Sequence, residues 1–150
     1  MVIQRLQTLF LVLAIGLVVG FFFVPFGHVN VQDVESAQMV EKSLCAVDYV
    51  GLIVLMVLSI LTMLVAIFSF KKPNFQKLLV LVSVVLTVVC IAIAGYVLTD
   101  GFAVFDADVC VGALYGGILL LEVAIIAQLM AYRGIVSDQR LLRSYDRFYK

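Results

Sequence analysis

Glu122 is the residue whose type and position promise most chemistry. It is the only acidic or basic side chain inside four long apolar stretches of a 150-residue chain. A carboxyl about ten residues from either end of a helical stretch lies about 15 Å from water on both sides. Charged groups at such depth are expensive, and they mark ion or proton pathways by default when they face a bundle interior or an aqueous cavity. The competing role is structural. In hydrocarbon the neutral acid is the cheaper form, and it could hydrogen-bond a neighbouring helix through Ser59, Thr62, Ser83 or Thr87. A transport path normally needs several polar stations. Gln128, one and a half turns farther along, is the only other strongly polar residue on that stretch, so the structural role is favoured.

Three cysteines come next. Of their possible pairs, only Cys45–Cys110 joins two positions expected on the outer surface, where an oxidising compartment permits a disulfide. The residues leave open whether that bond forms; it would tie the second helix to the fourth. A thiol oxidoreductase would normally carry a C-x-x-C pair, and the chain has none. The acids of the outer loops, Asp106-Ala107-Asp108 among them, read better as solvated groups that enforce orientation than as a cation site. His28 stands alone. No phosphate-binding glycine loop, metal-ligand cluster, nucleophile–base set or haem attachment pattern is present. No catalytic, cofactor or metal residue is therefore assigned, and a non-enzymatic protein is expected. So few bases also disfavour nucleic acid as a partner.

Small residues at four-residue spacing form another constellation: Gly16 and Gly20 in the first stretch, Gly112 and Gly116, with Ala113 and Gly117 beside them, in the fourth. Glycine lets helix backbones approach closely, and in lipid that packing must supply the attraction. The expectation is that the first and fourth helices pack there. The same faces could instead join two copies of the chain.

The elements that position these residues follow from composition. Hydrophobic residues make up 65% of the chain and charged residues 13%, against about 45–50% and about 25% in ordinary soluble domains. Mean hydropathy is +1.20. A soluble fold of this size could not hide so much apolar surface. A membrane-crossing helix needs about 20 mostly apolar residues, and four runs qualify: Thr8–Phe26, Tyr49–Phe70, Leu78–Leu98 and Val109–Tyr132. Many of these residues are β-branched, but uninterrupted apolar runs in lipid must satisfy their own backbone, which favours helix. The fold class expected is an all-α, antiparallel four-helix transmembrane bundle forming one domain over residues 1–150. Asp48 is expected to cap the second helix. Lys71, Lys72 and Pro73 should stop it, and Thr99-Asp100-Gly101 should end the third. Weak alternation in His28–Gln32 and Phe102–Phe105 suggests that the two outer loops pair as short strands.

Net charge is zero, yet its distribution is lopsided. Nine of the ten bases fall on the side of both termini and the Lys71–Lys77 turn, with two acids. Seven acids and Lys42 fall on the other side. Cytoplasmic loops carry the excess of Lys and Arg, which places both termini in the cytoplasm. Arg5 before an apolar run fits the opening of a signal peptide, but Val24-Pro25-Phe26-Gly27-His28 lacks a small-x-small cleavage site, so a retained helix is expected. In the tail 133–150, Leu141, Leu142, Tyr145, Phe148 and Tyr149 share one helical face, with Arg140, Arg143 and Arg147 on the rest and Ser137 placed to cap. A basic amphipathic helix of this kind lies on the anionic leaflet or docks a partner protein.

The two ends of the chain are distinctive together. The start reads Val2-Ile3-Gln4-Arg5-Leu6-Gln7-Thr8-Leu9-Phe10-Leu11. The end reads Ala131-Tyr132-Arg133-Gly134-Ile135, then Asp138, then Leu141-Leu142-Arg143-Ser144-Tyr145-Asp146-Arg147. In this the chain resembles an uncharacterised family of small four-span inner-membrane proteins from Bacteroidota, domain of unknown function 4293. The resemblance implies a bacterial cytoplasmic membrane and four helices, and no activity or functional residues. The function expected from the residues is a structural or interaction subunit in the lipid bilayer, contacting a membrane-protein partner or a second copy. A small transporter or proton-linked carrier using Glu122 is the alternative.

Overall fold

The computed structural model describes residues 2–32, 39–69, 72–104 and 116–148. In chain order it has α1 (Val2–Phe21), β1 (Gly27–Gln32), β2 (Met39–Leu44), a single 3-10 turn at Ala46–Asp48, α2 (Val50–Phe68), α3 (Pro73–Val104) and α4 (Gly116–Phe148). Among the described residues, three stretches are long and apolar enough to cross a membrane: Val50–Phe68, Pro73–Leu98 and Gly116–Leu141. The described apolar part of α1, Leu6–Phe21, is shorter.

Each boundary has a local cause. Pro25 lacks an N–H and pushes the residue before it out of the α region. So α1 ends at Phe21 instead of reaching Phe26, and closes in a turn where Phe23 N–H donates to Gly20 O at 3.1 Å. At its other end α1 starts at Val2, because Gln4, Arg5 and Gln7 are good helix formers. Pro73 opens α3 as its first residue, where a missing N–H costs nothing. Thr99-Asp100-Gly101 does not end α3, which runs on to Val104. Asp and Gly only weaken a helix by up to about 1 kcal/mol each, and only Pro removes a donor. Asp48 does not cap α2 either. It closes the preceding 3-10 turn, accepting from Cys45 N–H at 3.4 Å, and the cap of α2 is Tyr49, whose side chain makes no cap hydrogen bond.

The strands also differ from expectation. β1 pairs antiparallel with β2, Gly27 opposite Leu44 and Gln32 opposite Met39, whereas Phe102–Val104 belong to α3 and Phe105 lies outside the described residues. Alternation marks a strand without naming its partner, and the local pairing wins because β1 and β2 are close in sequence, so little closure entropy is lost.

The buried residues explain the packing. On α1 they are Gln7, Leu11, Ala14, Val18 and Phe21; on α2, Leu52, Met56, Ser59, Met63 and Ala66. On α3 they are Gln76, Val80, Ser83, Thr87, Cys90 and Ala94. On α4 the seam is Gly117, Leu121, Ala124, Gln128, Ala131 and Ile135. Every seam steps by alternating four and three residues, the 3.5-residue repeat of helices packed side by side at about 20°. The large apolar residues mostly point away: Leu9, Val12, Val54, Leu61, Leu81, Val85 and Ile126 are exposed. α1 packs on α4, α4 on α3 and α3 on α2, with a thinner contact between α2 and α1.

Candidate functional site

The described interior carries one polar layer, about midway along the apolar helices. Gln128 of α4 donates through Nε2 to Thr87 Oγ1 at 3.1 Å and to Met63 Sδ at 3.4 Å. Thr87 donates to Ser83 O at 2.9 Å, and Ser83 to Val80 O at 2.8 Å. With the Thr87 proton committed to that carbonyl, Ser59 Oγ, 3.3 Å away, must be the donor to Thr87 Oγ1. The Thr87 oxygen thus accepts twice and donates once, which fills its capacity. Three helices are joined through this hydroxyl. Gln128 Oε1 is buried without a partner. The layer is neutral, and hydroxyls and an amide of this kind hydrogen-bond helices together.

Glu122 is not part of it. It is exposed on the outward side of α4, and the hydroxyls of Ser59, Ser83 and Thr87 spend their bonds on one another, on the helix backbone and on Gln128; Thr62 donates to Ser59 O at 2.8 Å. The anticipated inward hydrogen bond is overturned. The reason is rotational phase. The inward seam of α4 includes Leu121, Ala124 and Gln128. A residue at 122 lies about 100° round from 121 and about 160° from 124. Of the two polar residues singled out on this helix, the structure keeps Gln128 inside and turns Glu122 out.

The expected contact between the first and fourth helices is present, but the expected glycines share in it unequally. Gly16 is exposed, and a side chain there would meet nothing within 4 Å. Gly20 and Gly116 are in ordinary contact range, with a Cβ 3.7 Å from Leu120 and 3.5 Å from Val24. The close approaches are at Gly117 and Gly134. A Cβ on Gly117 would stand 3.0 Å from Phe26 Cβ and 3.1 Å from its Cα; one on Gly134 would stand 2.8 Å from Gln7 Cγ. Gly112 lies outside the described residues, as do Cys110 and the Asp106–Asp108 pair. Cys45 is a half-buried free thiol, and Cys90 a buried one.

At the hairpin end, Phe26 is the junction. Its N–H donates to Leu44 O at 2.9 Å, and its ring stacks on Phe21 with centroids 5.8 Å apart and meets Tyr49 at 6.1 Å. Phe26 thereby ties the end of α1 to the hairpin and to the start of α2. The opposite end is polar. Gln7 lies buried against Gly134 with its Nε2 unpaired, and Gln139 donates to Asn74 Oδ1 at 3.1 Å. Beside it a groove of about 380 Å³ is lined by Tyr132, Arg133, Val136, Ser137 and Arg140.

Ser137 begins no separate helix. α4 is continuous from Gly116 to Phe148, because nothing at Gly134–Ser137 removes a backbone donor. The backbone of Arg143, Tyr145, Arg147 and Phe148 continues that helix, and Leu141 is exposed. The side chains beyond Leu141 lie outside the description. Among the described residues no group of three or more His, Cys, Asp or Glu could hold a metal ion.

Gln128, Thr87 and Gly117 are each visible in the sequence, but as separate features; what joins them is the repeat of small and polar residues at three and four along each helix. No curated protein matches the chain. A family model does, over residues 3–148, nearly the whole length. The chain belongs to the family described as domain of unknown function (DUF4293).

Proposed function

We propose that this chain is a four-pass protein of the bacterial cytoplasmic membrane, as the family resemblance to Bacteroidota proteins implies, acting as a non-enzymatic structural or interaction subunit. α1 is the fourth crossing; the polar ends Gln4–Gln7 extend it into the headgroup region. The helices form an antiparallel bundle. Gln7 beside Gly134 and Gly20 beside Leu120 support this for α1 and α4, as Gln139 on Asn74 does for α3 and α4. Both termini are cytoplasmic by the charge asymmetry. The basic end of α4 serves as the membrane-surface or partner contact.

The observation that carries the subunit reading is the outward position of Glu122. The one ionisable group of the spans is displayed to a neighbour instead of lining a path through the bundle, while the interior at its level is packed with Val18, Leu121 and Ala124. That arrangement favours a subunit over a carrier. Reconstituted protein separates the two. A subunit passes no proton current in liposomes, and its Glu122→Gln variant keeps the wild-type set of co-purifying membrane proteins. Proton or solute flux that vanishes in Glu122→Gln would establish the carrier. Reporters fused to either end should be active only in the cytoplasm.

A further inference from the structure

Glu122 belongs to a second seam on α4, on the side opposite the core. Leu119, Glu122, Ile126 and Leu129 step by three and four residues, and all four are exposed. Arg133, Val136 and Arg140 continue the same spacing. Glu122 is 11 residues before Arg133, a rise of about 16 Å. With Arg133 at the cytoplasmic headgroups, that puts the carboxyl near the middle of about 30 Å of hydrocarbon. A carboxyl facing lipid tails at that depth has no donor or acceptor around it, and such polar groups are costly unless answered.

Resting on the reading of the chain as a multi-pass membrane protein, we propose that α4 pairs through this outer seam with α4 of a second copy, and that the two Glu122 carboxyls hydrogen-bond each other across the two-fold axis. The 3.5-residue spacing is that of paired helices. Two copies threaded the same way are related by an axis along the membrane normal, which sets identical residues at identical depth. The membrane-facing surfaces of α1, α2 and α3 carry no Asp, Glu, Lys or Arg in the spans Thr8–Phe21, Val50–Phe68 and Leu78–Leu98. The one ionisable group a second copy can bring to the bilayer centre is therefore its own Glu122. As neutral acids, each O–H donates to the other's carbonyl oxygen, which leaves no charge and no unused donor. Arg133 and Arg140 fall where water and lipid phosphates screen them, and so end the seam at Leu129.

Cysteine cross-linking in native membranes tests this, in a chain carrying Cys45→Ser, Cys90→Ala and Cys110→Ser. Under a mild oxidant, Leu119→Cys, Ile126→Cys and Leu129→Cys should each give a covalent dimer, while Val123→Cys and Ile125→Cys, about 80° to either side, should not. Adding Glu122→Leu to the Ile126→Cys chain should lower dimer yield about tenfold. Glu122→Gln should preserve it, because a primary amide both donates and accepts. Equal cross-linking on and off the seam, cross-linking to a different protein, or undiminished dimer in Glu122→Leu would each overturn the proposal. None of these outcomes moves the terminal reporters, so a failed dimer is distinguishable from a failed membrane topology.

Discussion

The two faces of α4 solve the same problem differently. Six residues apart, Gln128 and Glu122 each put a polar group among apolar ones. Gln128 points inward, where Thr87 and Met63 receive its amide. Glu122 points outward, where the fold supplies nothing. The inner face alternates small or polar residues with Leu121 and Ile135, while the outer face carries exposed Leu119, Ile126 and Leu129, so hydrophobicity does not separate inside from outside as it does on a soluble helix. Lipid gives no reward for hiding leucine, and close backbone approach with a few hydrogen bonds does the assembling instead. A polar group on the inner face is therefore part of the fold, whereas one on the outer face needs a second molecule.

The inner face should yield the largest effects. Gly117→Leu should cost about 3 kcal/mol, since even its Cβ meets Phe26 backbone at 3.1 Å and Phe21 ring at 3.1 Å. Those atoms anchor the hairpin and α2, so they have little room to shift. The check is a lowered thermal aggregation midpoint in detergent.

Thr87→Val should follow, at about 1–2 kcal/mol. It preserves shape and leaves the Gln128 Nε2 and the Ser59 hydroxyl without their shared acceptor. Gln128→Leu should cost less than Thr87→Val, because it also removes the buried, unpartnered Oε1. If the two rank the other way in the same melting assay, the layer is held by Gln128 packing and not by the Thr87 hydroxyl.

Gly134→Ala should change stability by less than about 1 kcal/mol in either direction. Its new methyl meets only the Gln7 side chain, at Cγ 2.8 Å, Nε2 3.4 Å and Cδ 3.5 Å, and alanine regains helix propensity that glycine lacks. Gly134 and Gly117 thus look alike in sequence and differ by whether the neighbour is rigid backbone or a movable side chain.

Much of the architecture was legible because lipid imposes it. Runs of apolar residues locate α2, the apolar part of α3 and α4, and Pro73 marks the turn. The pairing of α1 with α4 also followed from glycine in both. What escaped was phase and extent. When both faces of a helix are apolar, periodicity of hydrophobicity carries no sign, so nothing in the run around Glu122 said which way it faced. The phase was written instead in the shared spacing of Ser59, Ala66, Ser83, Thr87, Ala94, Ala124 and Gln128, which only shows when small and polar residues are read as one repeat. The hairpin partner of β1, the overrun of α3 past Gly101 and the single-turn role of Asp48 were set by local competition that residue type alone does not rank.

Gly16 is where that lesson gives its smallest and most discriminating prediction. By spacing alone it pairs with Gly20 and should be as sensitive as any glycine in the chain. In the structure it is exposed, its added Cβ meets nothing, and its neighbours in the packed seam are Ala14 and Val18. Gly16→Leu should therefore leave the melting midpoint of the detergent-solubilised protein within the equivalent of about 0.5 kcal/mol, and it should raise the apolar content of α1 where lipid prefers it. A loss comparable to that of Gly117→Leu would mean that the outer face of α1 is covered by protein in the folded state, which would place a second contact surface beside the α4 seam.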